Sequence, residues 1–391
     1  MKILSIETSC DETAVSIVEA TGGLESPTFS VLGNALFSQI ELHKEFGGVF
    51  PMLAKREHAK KLSPLLEKVL KQANYFKTKE TLDSINWDEI EEILKREEGL
   101  FIPFKNLLEK IEKPNVDIIS VTSGPGLEPA LWVGISFAVA LGKVWNLPVI
   151  PANHMEGHIA SVLVGSNEKK IEFPALALLI SGGHTEIVKI DSWGSYKIVG
   201  QTVDDAVGEA FDKVARLLGL PYPGGPEISK LAEKARTENL HKTAKFPRPM
   251  LSSKDSNFSF SGLKTAVLYY IRDAFNGKLE NLTDSDKSDI AREFEDSVVE
   301  VLTFKVKTIL EENNIKTLII AGGVVANKKI RETFLELASK FDGLVLKTPT
   351  KELSTDNSIM IACASYIKTI VYPEIISKNN KIIAEGNLKL K

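Results

Sequence analysis

The chain has 391 residues, 43% hydrophobic and 26% charged, enough for a large core in two or more domains, or two lobes of one. A net charge of −4 excludes a protein that grips nucleic acid through a general basic surplus, so any RNA contact must be a local patch or shared with a partner protein. Two cysteines, Cys10 and Cys363, exclude a disulfide framework and point to a reducing cytoplasm, while the absence of an apolar run of membrane-spanning length argues against a membrane protein.

Strand-like residues begin at Lys2, which leaves no room for a signal or transit peptide. The opening run KILSIETSCDETAVSIVEA has two β-rich stretches flanking a polar turn, and predicts a hairpin with Asp11 and Glu12 at its tip. In KREHAKK, the cations Lys55, Arg56, Lys60 and Lys61 are either a basic patch or a solvated helix face; His43, His58 and His241 read as surface or helix residues. The stretch 72–113 is rich in Glu and Lys, with helical spacing around Ile85, Trp87, Ile90 and Ile93. It reads as a helical insertion, because residues 62–70 could join the strand at Val116 directly. Next come VDIISVTSGPGLEPALWVGISFAVALGKVWN, a strand, a Gly/Pro turn and a long helix, and LPVIPANHMEGHIASVLVG, a strand leading into another helix.

That second helix carries His154 and His158, two of only six histidines. Four residues return a helical side chain to within roughly 40° of its starting azimuth, so both imidazoles project from one face. The pair alone fits either a metal site or an ordinary helix. A third ligand is available in LSTDNSIMIAC, where Asp356 either completes the site or caps the helix that follows. Two imidazoles and one carboxylate leave coordination positions open, which suits catalytic zinc or non-haem iron(II). A zinc protease of the HExxH kind is disfavoured: Met155 stands where its base would be, and Glu156 lies roughly 200° around the helix from His154.

The second half repeats the plan of the first. PALALLISGGHTEIVKI predicts another hairpin, about 175 residues after the first, with the turn SGGHT. Two such units suggest a duplicated α/β fold whose lobes face each other across a cleft. In TVDDAVGEAFDKVARLLGL, residues Val207, Phe211, Val214, Ala215 and Leu218 form the buried stripe of a helix. Asp212 flanks that stripe, where it either borders a cleft or pairs with Arg216. Glycine pairs at Gly182–Gly183, Gly224–Gly225 and Gly322–Gly323 have the composition that lets backbone approach a phosphate or nucleoside. Phe258, Phe260 and Lys264 in FSFSGLKT suit base stacking or the anchoring of a loop. Further cations are Lys245, Arg248 and the lysine-rich tail over 378–391.

Taken together and in order, IETSCDET, TSGPGL, HMEGH, LLISGGHT, GEAFDKVARLLGLPYPGGP, FSFSGLKT, AGGVVAN and STDN resemble the bacterial form of the tRNA adenosine threonylcarbamoyltransferase family, over residues 1–366. The resemblance implies an α/β fold of the duplicated actin/Hsp70/sugar-kinase kind, with two lobes around a nucleotide cleft. It implies transfer of the threonylcarbamoyl group from threonylcarbamoyl-AMP to N6 of adenosine 37 in tRNAs reading ANN codons. His154, His158 and Asp356 match the family's metal ligands, for one divalent ion, Fe2+ or alternatively Zn2+. Leu179, Ile180, Ser181, Gly182, Gly183, Asp212, Gly225 and Asn327 match its adenylate-binding positions, while Ser229 stands where the family often has aspartate. Asp11 and Glu12 either accept the amine proton or have a structural or electrostatic role. Implied partners are tRNA, a non-catalytic paralogue of the same fold and a small P-loop ATPase. The expected division is an N-terminal lobe over 1–153, a second lobe over 154–355 holding metal and nucleotide, and a returning helix and tail over 356–391. The main rival reading is an ATPase or small-molecule kinase of the same fold, which has no need of the histidine pair.

Overall fold

The computed structural model describes residues 1–79, 85–165, 170–377 and 381–390. Its strands are β1 (Lys2–Glu7), β2 (Glu12–Thr21), β3 (Thr28–Ser38), β4 (Ile118–Gly124), β5 (Val149–Asn153), β6 (Ala175–Ile180), β7 (Thr185–Ser192), β8 (Ser195–Gln201), β9 (Thr317–Ala321) and β10 (Val345–Lys347). The first six helices are α1 (Ile40–His43), α2 (Pro51–Gln72), α3 (Trp87–Leu94), α4 (Phe101–Leu108), α5 (Glu128–Trp145) and α6 (His154–Ser161). The remaining six are α7 (Val207–Leu217), α8 (Gly224–Thr237), α9 (Ser261–Phe275), α10 (Asp284–Glu312), α11 (Lys328–Ala338) and α12 (Ser358–Val371).

The chain forms two compact units, Met1–Lys170 with Asp356–Lys391, and Ile171–Thr355. In the first, the sheet order is β3-β2-β1-β4-β5: β1, β2 and β3 are antiparallel neighbours, and β4 and β5 extend the sheet in parallel from β1. In the second, β6, β7 and β8 are the antiparallel strands, and β9 and β10 extend in parallel from β6. The two sheets therefore have the same order and the same directions, the duplicated α/β architecture expected.

The strands read as nearly continuous apolar runs because helices cover both faces of the first sheet. Leu4 and Ile6 join the core beneath α2 and α5, together with Ile119 and Val121. Ser120, pointing the other way, donates to the Ile361 carbonyl of α12 at 3.4 Å. The segment 72–113 is helical in α3 and α4, and it is part of the core rather than an appendage. Ile90, Leu94, Phe104 and Leu108 are buried beside Phe137 and Leu141, with the rings of Phe104 and Phe137 edge to face at 5.4 Å. The buried carboxylate of Glu97 meets Lys55 at 3.0 Å, fastening the segment to α2.

The division falls between Lys170 and Ile171, later than Asn153, so α6 belongs with the first unit. The reason is packing. Gly157 lies between the two histidines, and a Cβ there would come within 3.0 Å of Met360 and Ile361 on α12. Its bare backbone lets α6 lie close against α12, which the chain supplies only after completing the second unit.

Candidate functional site

Asn153 caps α6, its side chain accepting from Met155 N at 2.8 Å, so His154 is the first helical residue and His158 follows one turn later. At the start of α12 the cap is Asn357, accepting from Met360 N at 2.9 Å. Capping is thus done by the neighbour, and Asp356 turns to the histidines. Its Oδ1 lies 3.4 Å from His154 Nε2 and 3.2 Å from His158 Nε2. One candidate ligand atom from each of the three residues lies within 4.8 Å of the others.

The surroundings fit an ion at this point. His158 is fully buried, yet neither of its ring nitrogens makes a hydrogen bond of sound geometry. A buried polar atom without a partner carries a desolvation cost that a coordination bond removes. His154 Nδ1 is 3.1 Å from Glu7 Oε2 and 3.2 Å from Ser9 Oγ. Donation from Nδ1 to the buried Glu7 carboxylate would leave Nε2 to bind an ion in place of its proton, as in carboxylate–histidine–metal arrangements. Glu7 is itself fixed by the Thr122 hydroxyl, which donates to Oε2 at 2.6 Å. Burial opposes the charged form of His154, but Asp356 and Glu7 outweigh it and raise its pKa well above the ordinary value. Burial likewise opposes charge on Asp356, and the two imidazoles outweigh it, holding the carboxyl well below the usual range. Glu156 takes no part: burial raises its pKa, and Lys368 is the charge that opposes the shift.

Asp11 and Glu12 sit where the β1–β2 turn enters β2, with Asp11 buried and Glu12 half-buried. Ser38 donates to Glu12 Oε1 at 3.2 Å. Burial, then Asp11 and then Asp356, push the Glu12 carboxyl well above its ordinary pKa, so the acidic turn and the histidine cluster share one electrostatic neighbourhood. Cys10 in the same turn has its thiol pushed up by burial and by Asp11, consistent with a packing role. His43 and His58, expected at the surface or in helices, lie in α1 and α2 and are both fully buried; His241 is exposed.

The second unit holds the glycine turns, and they divide into two kinds. A Cβ on Gly208 would lie 2.8 Å from the Ser181 carbonyl oxygen, and one on Gly224 would lie 2.3 Å from Ala215 Cβ. Gly322 has φ +99° and a Cβ there would reach within 2.5 Å of the Ile180 carbonyl oxygen. These three are required by packing. Gly182, Gly183, Gly225 and Gly323 would meet nothing within 4 Å, so their missing side chains leave open space beside exposed backbone. Leu179 and Ile180 are fully buried in β6, which leaves them main-chain contacts only. Ser181 Oγ accepts from His184 N at 3.1 Å, closing the turn.

Asp212 Oδ1 accepts from Gly224 N at 2.7 Å, and Gly225 N also donates to the carboxylate. It therefore caps the start of α8; burial raises its pKa, and the Gly224 and Gly225 N–H groups oppose the shift, followed by Arg216. Asn327 caps α11 and donates through Nδ2 to Ser229 Oγ and Glu295 Oε1, both at 2.6 Å. Glu295, buried on α10, was not singled out from sequence. Its signal is present only in three dimensions, where Ser229, Asn327 and Arg236 all converge on it.

Other candidates resolve to structural roles. Phe258 and Phe260 are fully buried and stack on each other at 6.0 Å, anchoring their loop. Lys60 pairs with Glu57, Lys61 lies over the Phe37 ring at 4.3 Å, and Arg248 pairs with Glu293 and Glu300. In the lysine-rich tail, positions 378–380 and 391 lie outside the described residues.

A repeated five-stranded α/β sheet thus carries a histidine–histidine–aspartate cluster in one unit and open glycine turns in the other. The family model for tRNA N6-adenosine threonylcarbamoyltransferase matches residues 30–86 and 104–363. The protein of that name from Herminiimonas arsenicoxydans is 41% identical over 379 residues, covering 97% of this chain and 95% of its own length. The one from Polynucleobacter asymbioticus is 40% identical over 398 residues, covering 100% and 97%. The chain belongs to the tRNA N6-adenosine threonylcarbamoyltransferase family. Among solved structures, the ROK hexokinase of Thermus thermophilus is 11% identical with a TM-score of 0.44, covering 94% of this chain and 99% of its own. The activator of 2-hydroxyisocaproyl-CoA dehydratase from Clostridium difficile is 10% identical with a TM-score of 0.47, covering 97% and 100%. Both likenesses are remote, and the fold rests on the strand order itself.

Proposed function

We propose that this chain transfers the threonylcarbamoyl group of threonylcarbamoyl-AMP to N6 of adenosine 37 in tRNAs reading ANN codons, releasing AMP. The observation that carries the reading is the convergence of His154, His158 and Asp356 in a chain of this family. Adenine's exocyclic amine is a poor nucleophile because its lone pair is delocalised into the ring, so the acyl group must arrive activated, as the mixed anhydride with AMP. The amine nitrogen bonds to the carbamoyl carbon, the bond from that carbon to the phosphate oxygen breaks, and AMP leaves with the electron pair. The amine proton passes to a carboxylate, for which Asp11 and Glu12 are the candidates.

His154, His158 and Asp356 would hold one divalent ion, Fe2+ or alternatively Zn2+, which when bound supplies a Lewis acid for acyl oxygens. Glu7 orients the His154 ring for that purpose. In the second unit, the open backbone at Gly182, Gly183 and Gly225 suits the adenylate, with Leu179, Ile180, Ser181, Asp212 and Asn327 completing its binding positions. With a net charge of −4, tRNA binding is best shared. A non-catalytic paralogue of the same fold and a small P-loop ATPase are the proposed partners. A tRNA substrate supports a cytoplasmic location; among the described residues, no helix is long and apolar enough to cross a membrane.

The test is an assay with synthetic threonylcarbamoyl-AMP, unmodified tRNA and anaerobically purified protein of known metal content. The reading expects modified adenosine 37 and AMP in equal amounts. ATP turnover without tRNA, and no adenosine modification, would instead favour the kinase or ATPase reading.

A further inference from the structure

Beneath the acidic turn of the first unit lies a buried polar socket that the chemistry above does not use. His58, Gln39, His43 and Thr13 are all fully buried. His58 Nε2 is 3.0 Å from the Cys10 carbonyl, which can only accept, so Nε2 carries the proton and Nδ1 is the acceptor. Thr13 Oγ1 then donates to Nδ1 at 2.7 Å. Gln39 N donates to the Asp11 carbonyl at 3.0 Å, and Gln39 Oε1 accepts from His43 Nε2 at 3.3 Å. His43 Nδ1 in turn accepts from Phe50 N at 3.3 Å. The donors and acceptors run in one consistent direction, and the contacts fall on Cys10, Asp11 and Thr13, bracketing the two acids.

We infer that His58 and Gln39 are positioning residues for acyl transfer, holding the main chain around Asp11 and Glu12 so that the carboxylates are aimed at the reacting amine. This rests on the reading of those acids as proton acceptors. Burial holds His58 at about 4, so it is neutral at neutral pH and keeps its donor and acceptor roles fixed. A misplacement on the order of 1 Å at a reacting group can cost about a hundredfold in rate.

The experiment measures kcat and KM for transfer from threonylcarbamoyl-AMP to tRNA, with bound metal, in His58→Leu, His58→Gln and the double variant Asp11→Asn/Glu12→Gln. His58→Leu is expected to lower kcat by about tenfold to a hundredfold with KM and metal content little changed. His58→Gln can donate to Cys10 and accept from Thr13, and should recover most of the rate. In the Asp11→Asn/Glu12→Gln background, adding His58→Leu should cost almost nothing further, because the residue acts through the acids. A loss that multiplies with theirs, or a wild-type kcat in His58→Leu beside a slow acid variant, overturns the inference alone. Full transfer by Asp11→Asn/Glu12→Gln overturns the proton-acceptor reading and the inference with it. If His58→Leu does not fold, Thr13→Val removes the hydroxyl that donates to His58. It should lower kcat with KM unchanged, and a wild-type kcat there would overturn the inference.

Discussion

The two units place a hairpin turn at the same point of the same sheet, between β1 and β2 and between β6 and β7, and fill it with opposite chemistry. The first turn is packed with polar groups: Ser9 reaches His154, the Cys10 carbonyl accepts from the buried His58 side chain, the Asp11 carbonyl accepts from the Gln39 main-chain N–H, and Glu12 follows. The second is bare, with Gly182 and Gly183 leaving open space where side chains would stand. One scaffold thus carries two kinds of turn. A turn that must aim ionisable groups needs a socket beneath it, whereas a turn that must present backbone needs side chains removed.

The strongest way to break this contrast is at the first unit's histidines. His154→Ala with His158→Ala should abolish bound metal and lower transfer by at least about a thousandfold, equivalent to about 4 kcal/mol of transition-state stabilisation. Metal analysis and the transfer assay check both, and a metal-free double variant with full activity ends the assignment. In the second unit, Gly322→Ala forces a left-handed conformation on a side chain 2.5 Å from a carbonyl, and should cost about 2–3 kcal/mol in denaturant unfolding. Acid sharpens the contrast from the other side. His58 binds its proton at about 4 when folded but near 6.5 when unfolded, so its stabilising contribution is complete above pH 6.5 and is lost as pH falls toward 4. Between pH 7 and 5 the loss from this group is about 2 kcal/mol, and His58→Gln should lack that share of the pH dependence. Smallest in stability is Gly183→Ala or Gly323→Ala, expected within about 0.5 kcal/mol of the parent because nothing lies near the new methyl. Either should weaken AMP binding measured by calorimetry; unchanged affinity in both would remove the glycine turns from the nucleotide reading.

What could be read from the sequence follows from how local each signal is. The hairpins, the α7 stripe and the histidine spacing are periodicities within a few residues, and Val207, Phe211, Val214, Ala215 and Leu218 are all buried as that spacing requires. The buried state of His58 was invisible, because a polar side chain goes inside only when partners from other segments, here Cys10 and Thr13, arrive to satisfy it. Glu7 and Glu295 were missed for the same reason. Residue chemistry left Asp356 either a third ligand or a helix cap, and only family resemblance chose between them, since no spacing rule links residues so far apart. Gly157 could have been noticed inside HMEGH, but its purpose needs Met360 and Ile361 to be in place.

The return of the chain to the first unit at Asp356 fixes an order of assembly. Synthesis runs from the N-terminus, and domains fold as units while the chain emerges. The second unit, Ile171–Thr355, is fully made before α12 leaves the ribosome, although the first unit began earlier. The second unit can therefore finish folding first, while the histidine helix waits for its partner. An ion held by His158 and Asp356 would close a loop of roughly 200 residues, acting as the last stitch that fastens the nascent protein shut.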